Sequence, residues 1–220
     1  MALRLLSVNV KQYRCLQEFS AQFNREGPTG FVGCNNTGKT SFLDFVYCNT
    51  VAPSPDKPVK MIGASRGSIS YLKAQRFCQK TDWEWFATLP SLVRRRFGLC
   101  AFTDGYDTTT GQKMVCSVLS SAMRRRQGYI RRQKSPDVLL VDDFDAFLSP
   151  KWQEKLLLTL RECAPTCQLI FTMLESSLVD SQCDYVRFVS MRTGEQIKSE
   201  NCPMIADKAK VRSKCCTRCS

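Results

Sequence analysis

The stretch Gly33-Cys34-Asn35-Asn36-Thr37-Gly38-Lys39-Thr40 matches the pattern G-x-x-x-x-G-K-[ST] at every fixed position. Each residue type in it has a chemical reason to be there. Glycines let the backbone wrap an anion with its N–H groups, and a helix starting at the end of the loop turns its positive dipole end toward the same point. Lys39 is spaced to reach the β- and γ-phosphates of a nucleotide, and the Thr40 hydroxyl is a hard oxygen donor for Mg²⁺. The pattern predicts binding of ATP with Mg²⁺, and Ser41, next in the chain, is counted with the loop. A chance match is the alternative, and a strand before the loop with a helix after it is the context that excludes one.

Phosphoryl chemistry on such a loop also needs an acid at the end of a neighbouring strand, to hold the magnesium shell. Val138-Leu139-Leu140-Val141-Asp142-Asp143 supplies an apolar run ending in two acids. Asp142 is the expected metal-side acid. Asp143, one residue on, is expected on the γ-phosphate side, where its carboxylate can polarise an attacking water. Adjacent acids at a strand end also cap turns, so this reading leans on Lys39 and Thr40 upstream.

These groups need elements to hold them. Leu6, Val8 and Val10 alternate as one face of a first strand, residues 18–23 suit a second, and Gly30-Phe31-Val32 a third that ends in the loop. Phe42, Leu43, Val46 and Tyr47 then fall at helical spacing. The proline-rich run 51–58 must be a loop. Ile69, Tyr71 and Leu72 suggest a strand, and Trp83, Trp85, Phe86 and Leu89 suggest buried aromatic packing. Val115, Val118, Leu119 and Ala122 make one helical stripe, and Trp152, Leu156, Leu157 and Leu160 another. Val138 to Val141 and Gln168 to Thr172 read as strands buried on both faces, as in the centre of a parallel sheet, with Tyr185 to Val189 as an edge strand.

Composition bounds the class. A chain of 220 residues with 43% hydrophobic and 24% charged residues can bury one good core, and it has no apolar run long enough to span a membrane. A cytoplasmic protein with no membrane partner is expected. Its 13 cysteines are scattered through apolar stretches, which suits reduced core thiols better than a disulfide framework. Cys202, Cys215, Cys216 and Cys219 in the tail could supply thiolates to zinc, although their spacing is poor for it. The net charge of +12 attracts polyanions, and basic runs lie at Arg94–Arg96, at Arg124–Arg126 with Arg131, Arg132 and Lys134, and from Lys208 to Arg218. Nucleic acid, an acidic protein partner and a solvated surface explain these runs about equally.

The order of these motifs resembles that of ABC-type P-loop ATPases, and within them the RecF/SMC/OLD-like branch. Leu6 to Leu16, with Tyr13-Arg14, is similar to the opening strand and turn of that branch, and Gly33 to Leu43 is similar to its phosphate loop. Leu140 to Pro150 resembles the Walker B and D-loop run, with Asp145 in the D-loop place. The resemblance covers roughly residues 4–190. It implies an α/β fold whose mostly parallel central sheet is flanked by helices, with an antiparallel N-terminal β part. An ATPase domain over residues 1–200 and a basic, cysteine-containing tail over 201–220 are expected.

The resemblance further implies a head that dimerises, as homodimer or heterodimer, around two ATP molecules, each held between the phosphate loop of one copy and a signature motif of the other. Thr108 to Lys113 stands in the signature place, with Thr109, Gly111 and Gln112 as the expected contacts and Arg14 as a further nucleotide-side residue. Asp107 to Thr110 is equally a good helix N-cap. The chain departs from the family at two places. Asp143 stands where a glutamate is usual, and the lost methylene withdraws the carboxylate by a distance that can cost on the order of a hundredfold in rate. The chain contains no histidine, so Met173-Leu174-Glu175 fills the place of the switch histidine. A slow ATPase switch acting on a nucleic-acid-associated partner is the leading expectation, its downstream chemistry belonging to an effector or nuclease chain. An ATP-binding module that hardly hydrolyses is the alternative, and a transporter's ATPase subunit is a second.

Overall fold

The computed structural model describes residues 2–53, 55–63, 68–73, 91–98, 109–123, 136–174 and 185–197. The tail cysteines, the aromatic group from Trp83 to Leu89 and the basic runs after Met123 lie outside the described residues. The described chain runs β1 (Arg4–Tyr13), β2 (Leu16–Gln22), β3 (Thr29–Val32), α1 (Lys39–Val51), β4 (Val59–Ile62), β5 (Ile69–Leu72), α2 (Ser91–Arg96), α3 (Thr110–Met123), β6 (Val138–Val141), α4 (Pro150–Cys163), β7 (Gln168–Met173) and β8 (Arg187–Ser190). Among the described residues, no helix is long and apolar enough to cross a membrane.

Two sheets form, as the fold class requires. The larger has five strands in the order β5-β6-β7-β3-β8, every neighbouring pair parallel. Its inner strands are apolar at successive positions because both faces are covered. Leu139, Val141, Leu169 and Phe171 face one core with α3 and α4. Val138, Leu140 and Ile170 face the other, with α1 and the antiparallel strands. The expected edge strand is β8, last in the sheet order beside β3, with only an isolated antiparallel bridge from Val189 to Gln196 on its outer side.

The smaller sheet is antiparallel, β2-β1-β4. Its inward face is not the one that simple alternation predicts. Leu5 is fully buried with Val8 and Val10, while Leu6 is only half-buried. The pairing of β1 with β4 shifts register between Leu5 and Ser7, and such a bulge exchanges the two faces of a strand. Strand β4 itself was not expected, since only Val59 of its four residues is fully buried and its pattern is too short to show. Helix α2 shows in the sequence only as a basic run. Its three arginines fill the last turn, where cations suit the helix dipole, and Arg96 donates to Thr159 and to Glu162 on α4.

Two features position the phosphate loop. Phe31 at the end of β3 and Phe42 in the first turns of α1 sit 4.3 Å apart between ring centroids, with Phe19 and Phe23 packed around them. Each such ring contributes about 1.5–3 kcal/mol by burial, and together they fix the strand and helix between which the loop must close. Gln168 joins the sheets: it accepts the Leu5 N–H at 2.8 Å and donates to the carbonyls of Leu5 and Asn24 at 3.0 and 2.9 Å.

Candidate functional site

The loop Gly33 to Thr40 lies between β3 and α1, the strand-loop-helix context the motif demands. Two of its residues are left-handed, Asn36 at φ 64° and Gly38 at φ 88°. Gly38 is required twice over, because a Cβ there would also meet the Leu16 side chain at 2.7 Å. Gly33 is required for space: a Cβ would come within 2.5 Å of the Thr37 hydroxyl. That hydroxyl donates to the Cys34 carbonyl at 2.8 Å and closes the turn.

Lys39 begins α1 and is almost wholly buried, its Nζ donating to the carbonyls of Gly33 at 2.9 Å and Cys34 at 3.0 Å. The ammonium is therefore held over the mouth of its own loop. Thr40 donates to Oδ2 of Asp142 at 2.7 Å, which ties α1 to the end of β6. The other oxygen, Oδ1, accepts from Thr172 on β7, also at 2.7 Å. Asp142 is thus buried with both carboxylate oxygens occupied by hydroxyls.

Asp143 follows in the left-handed region, φ 49°, and its N–H donates to the Thr172 hydroxyl at 3.0 Å. This turn releases its side chain from the sheet toward the cleft. The Asp143 carboxyl is pushed above its ordinary value, first by burial, then by Asp142 and Asp145, with Lys39 opposing. Asp145 accepts the N–H of Leu174 at 2.8 Å, joining the segment after β6 to the segment after β7. Glu175 lies outside the described residues.

Lys39, Thr40 and Asp143 meet in an open cleft of about 670 Å³, lined also by Asn35, Asn36 and Ser41, with Cys15 from the turn between β1 and β2. Its chemistry is that of a polyphosphate site: a lysine, backbone N–H groups at a helix start, and hydroxyl and carboxylate oxygens of the hard kind that suit Mg²⁺. Among the described residues no cluster of three or more histidine, cysteine or acidic groups could hold a metal by itself.

Other expected site residues stand elsewhere. Arg14, left-handed at φ 52°, donates to Asp44 of α1 at 2.8 Å and does not line the cleft. Lys73 pairs with the other oxygen of Asp44 at 2.9 Å. Burial opposes ionisation of Asp44, but Lys73 and Arg14 overcome it and hold the carboxyl below its ordinary value. Thr109 and Gln112 form a reciprocal cap at the start of α3. The Thr109 N–H donates to the Gln112 side chain at 2.9 Å, and the Gln112 N–H donates to the Thr109 hydroxyl at 3.3 Å. Gly111 lies against the carbonyl of Phe147 in the segment between β6 and α4. None of these three lines the cleft of its own chain.

Sequence reasoning missed Thr172 and Tyr71. Thr172 is a polar residue in an apolar run, and that contrast was the available signal. Tyr71 on β5 lies tilted against Tyr47, 5.7 Å between ring centroids, and its phenol is held protonated far above the ordinary value by burial, then by Asp142, Asp44 and Asp143. The sequence shows it only as part of a strand pattern and gives no sign of its place beside Asp142 and Asp44.

An α/β fold with a parallel five-stranded sheet and a smaller antiparallel one thus carries a phosphate-loop motif between β3 and α1, and its likeness to known proteins lies among AAA- and ABC-type ATPases. Residues 110–172, from the start of α3 into β7, match the family model described as "AAA domain, putative AbiEii toxin, Type IV TA system". Among solved structures, the chain is similar to CbiO1 from Clostridium perfringens, part of the ABC transporter complex cbiONQ, with a TM-score of 0.53 and 18% identity over 99% of this chain and 95% of that one. It is also similar to an ATP-binding subunit of an ABC transporter, with a TM-score of 0.51 and 15% identity over 90% of both chains. At these identities the likeness is one of fold. No curated protein matches the sequence.

Proposed function

We propose that this chain is an ATP-dependent switch of the RecF/SMC/OLD-like kind: ATP closes a dimer, slow hydrolysis reopens it, and the cycle controls a nucleic-acid-associated partner. The observation that carries this reading is that Lys39, Thr40 and Asp143 line one cleft, with Asp142 and Thr172 hydrogen-bonded in a chain behind Thr40. In this scheme the loop N–H groups and Lys39 would bind the phosphates, and Thr40 and Asp142 would hold Mg²⁺. The metal, when bound, neutralises charge on the β- and γ-phosphates. Asp143 accepts a proton from the attacking water. Thr109, Gly111 and Gln112 of a second copy complete the site, within an ATPase domain spanning 1–200.

The test is ATP binding and mass, with and without Mg²⁺. The expected result is a dimer that forms only with ATP and Mg²⁺, and loss of ATP binding in Lys39→Ala. Wild-type affinity in that variant would count against the assignment of the loop.

A second reading, an ATP-binding module with little hydrolysis, is favoured by the short Asp143 side chain and the absence of histidine from the chain. Steady-state phosphate release separates the two. A rate in Asp143→Asn equal to that of the wild type supports the module, and a lower rate supports the switch. The likeness to transporter subunits carries fold alone and adds no weight to a transport role.

A further inference from the structure

A second cavity, of about 460 Å³, opens at the other rim of the parallel sheet, where β6 and β7 begin. No residue lines both this cavity and the nucleotide cleft. Its floor is apolar: Leu139 of β6, Leu169 of β7, and Leu160 and Ala122 from the last turns of α4 and α3. Its rim carries Arg4 from the start of β1, Arg25 from the turn after β2, and Arg161 from the end of α4.

Charge decides what such a cavity takes. Glu26 is the one carboxylate in the lining, and none of the three arginines forms an ion pair with a described carboxylate. The carboxyl end of α4 also lies at it, equivalent to about half a negative charge. Among the described residues the arginines less Glu26 leave two positive charges; the end of α4 removes about half of one, and Asp137, which acts on the lining thiol of Cys167, removes a further part without cancelling the rest. The cavity is therefore electropositive in balance, with planar guanidinium donors that suit carboxylate and phosphate oxygens. Arg161 is already oriented, lying over the Tyr185 ring at 5.2 Å. The volume and mixed lining are those of a small-molecule site.

We propose that this cavity is a second ligand site, for a small anion carrying an apolar group, an aryl phosphate or aryl carboxylate in chemical class. The anion meets Arg4, Arg25 and Arg161 while the apolar group lies on Leu139, Leu160 and Leu169. The three arginines are far apart in sequence and belong to none of the basic runs, so only the fold brings them together.

The test is a fluorescence titration of the full chain with naphthyl phosphate, alongside naphthol and inorganic phosphate, repeated with excess ATP and Mg²⁺ and in Lys39→Ala. Naphthyl phosphate is expected to bind at least about tenfold more tightly than either fragment, and to weaken about tenfold in Arg4→Ala and in Arg161→Ala, since each removes a charge-assisted contact. Excess ATP and the Lys39→Ala change are expected to leave its affinity unaltered, which keeps this result separate from the fate of the nucleotide reading. Equal affinity for naphthol, unchanged affinity in both arginine variants, or displacement by ATP would each overturn the proposal. Arg161→Lys provides the fold control: it retains charge and stem, and intermediate affinity is expected.

Discussion

Thr172 donates its hydroxyl to Oδ1 of Asp142 at 2.7 Å from a fully buried position on the neighbouring strand. The same oxygen of Thr172 accepts the N–H of Asp143 at 3.0 Å, so one side chain holds both acids of the site. Thr172→Val keeps the shape and removes both bonds, leaving a buried carboxylate oxygen and a backbone N–H unpaired. The expected loss is about 1–3 kcal/mol of stability. In a chain of this size that is roughly 2–4 °C of Tm per kcal/mol. Urea and thermal unfolding measure it, and Thr172→Ser, which keeps the hydroxyl, is expected to lose only about 1 kcal/mol for its methyl group. Equal losses in the two variants would show that the hydroxyl carries nothing.

How far such relationships can be read from sequence depends on what makes them. The phosphate loop, the apolar runs of β6 and β7 and the acids at 142 and 143 are local patterns, and each is legible because its chemistry demands particular residue types at fixed spacing. The inward face of β1 is not legible. It depends on a register shift against β4, a strand that sequence does not reveal, and that shift exchanges Leu6 for Leu5 in the core. Thr172 is visible as a polar residue in an apolar run but acquires meaning only from the parallel register that sets Val141 beside Phe171. The reciprocal cap at Thr109 and Gln112 was legible as one of two readings, and its geometry favours the capping one without touching what Gln112 meets across an interface.

Asp143 offers a prediction in pH. Burial, then Asp142 and Asp145, raise its pKa against the pull of Lys39. A carboxyl that holds its proton more tightly in the folded chain than in the unfolded one stabilises the fold at low pH. That contribution is lost as pH rises from the ordinary aspartate value through the raised one. For hydrolysis the ionised form is the one that accepts a proton from water, so the acid limb of kcat/KM is displaced upward from the ordinary aspartate range. Asp145→Asn removes one of the charges that raise it and still offers an oxygen to the Leu174 N–H. The limb is expected to move to lower pH. Profiles of wild type and variant on the same Mg²⁺–ATP cancel the titration of the nucleotide, and an unmoved or upward-moved limb would sink the assignment of Asp143.

Gly111 sets two opposing effects against each other. An alanine Cβ would lie 2.5 Å from the Phe147 carbonyl oxygen, a backbone atom that cannot swing aside. Overpacking of that kind costs about 1–3 kcal/mol. Alanine in place of glycine within a helix gains about 1 kcal/mol. The clash is expected to win, so Gly111→Ala loses up to about 2 kcal/mol in urea unfolding. It also pushes the start of α3 away from the segment that carries Asp145. A neutral or stabilised variant would mean that this segment yields freely, and that the glycine is not needed for close approach.

Gln112 separates a capping role from an intermolecular one. Its side chain accepts the Thr109 N–H at 2.9 Å, and glutamate makes the same bond from the same position. A negative charge in the first turn is also favoured by the helix dipole, by about 0.3–1 kcal/mol. Gln112→Glu is therefore expected to equal or exceed the wild type in stability, whereas Gln112→Ala loses the cap and about 0.5–2 kcal/mol. Dimerisation should follow a different order. If Gln112 meets the γ-phosphate held by a second copy, the glutamate brings an anion against an anion, and the ATP-dependent dimer weakens although the monomer is intact. Light scattering with ATP and Mg²⁺ on both variants gives the answer. A Gln112→Glu chain that dimerises as well as the wild type assigns this residue to the cap alone and removes it from the composite site.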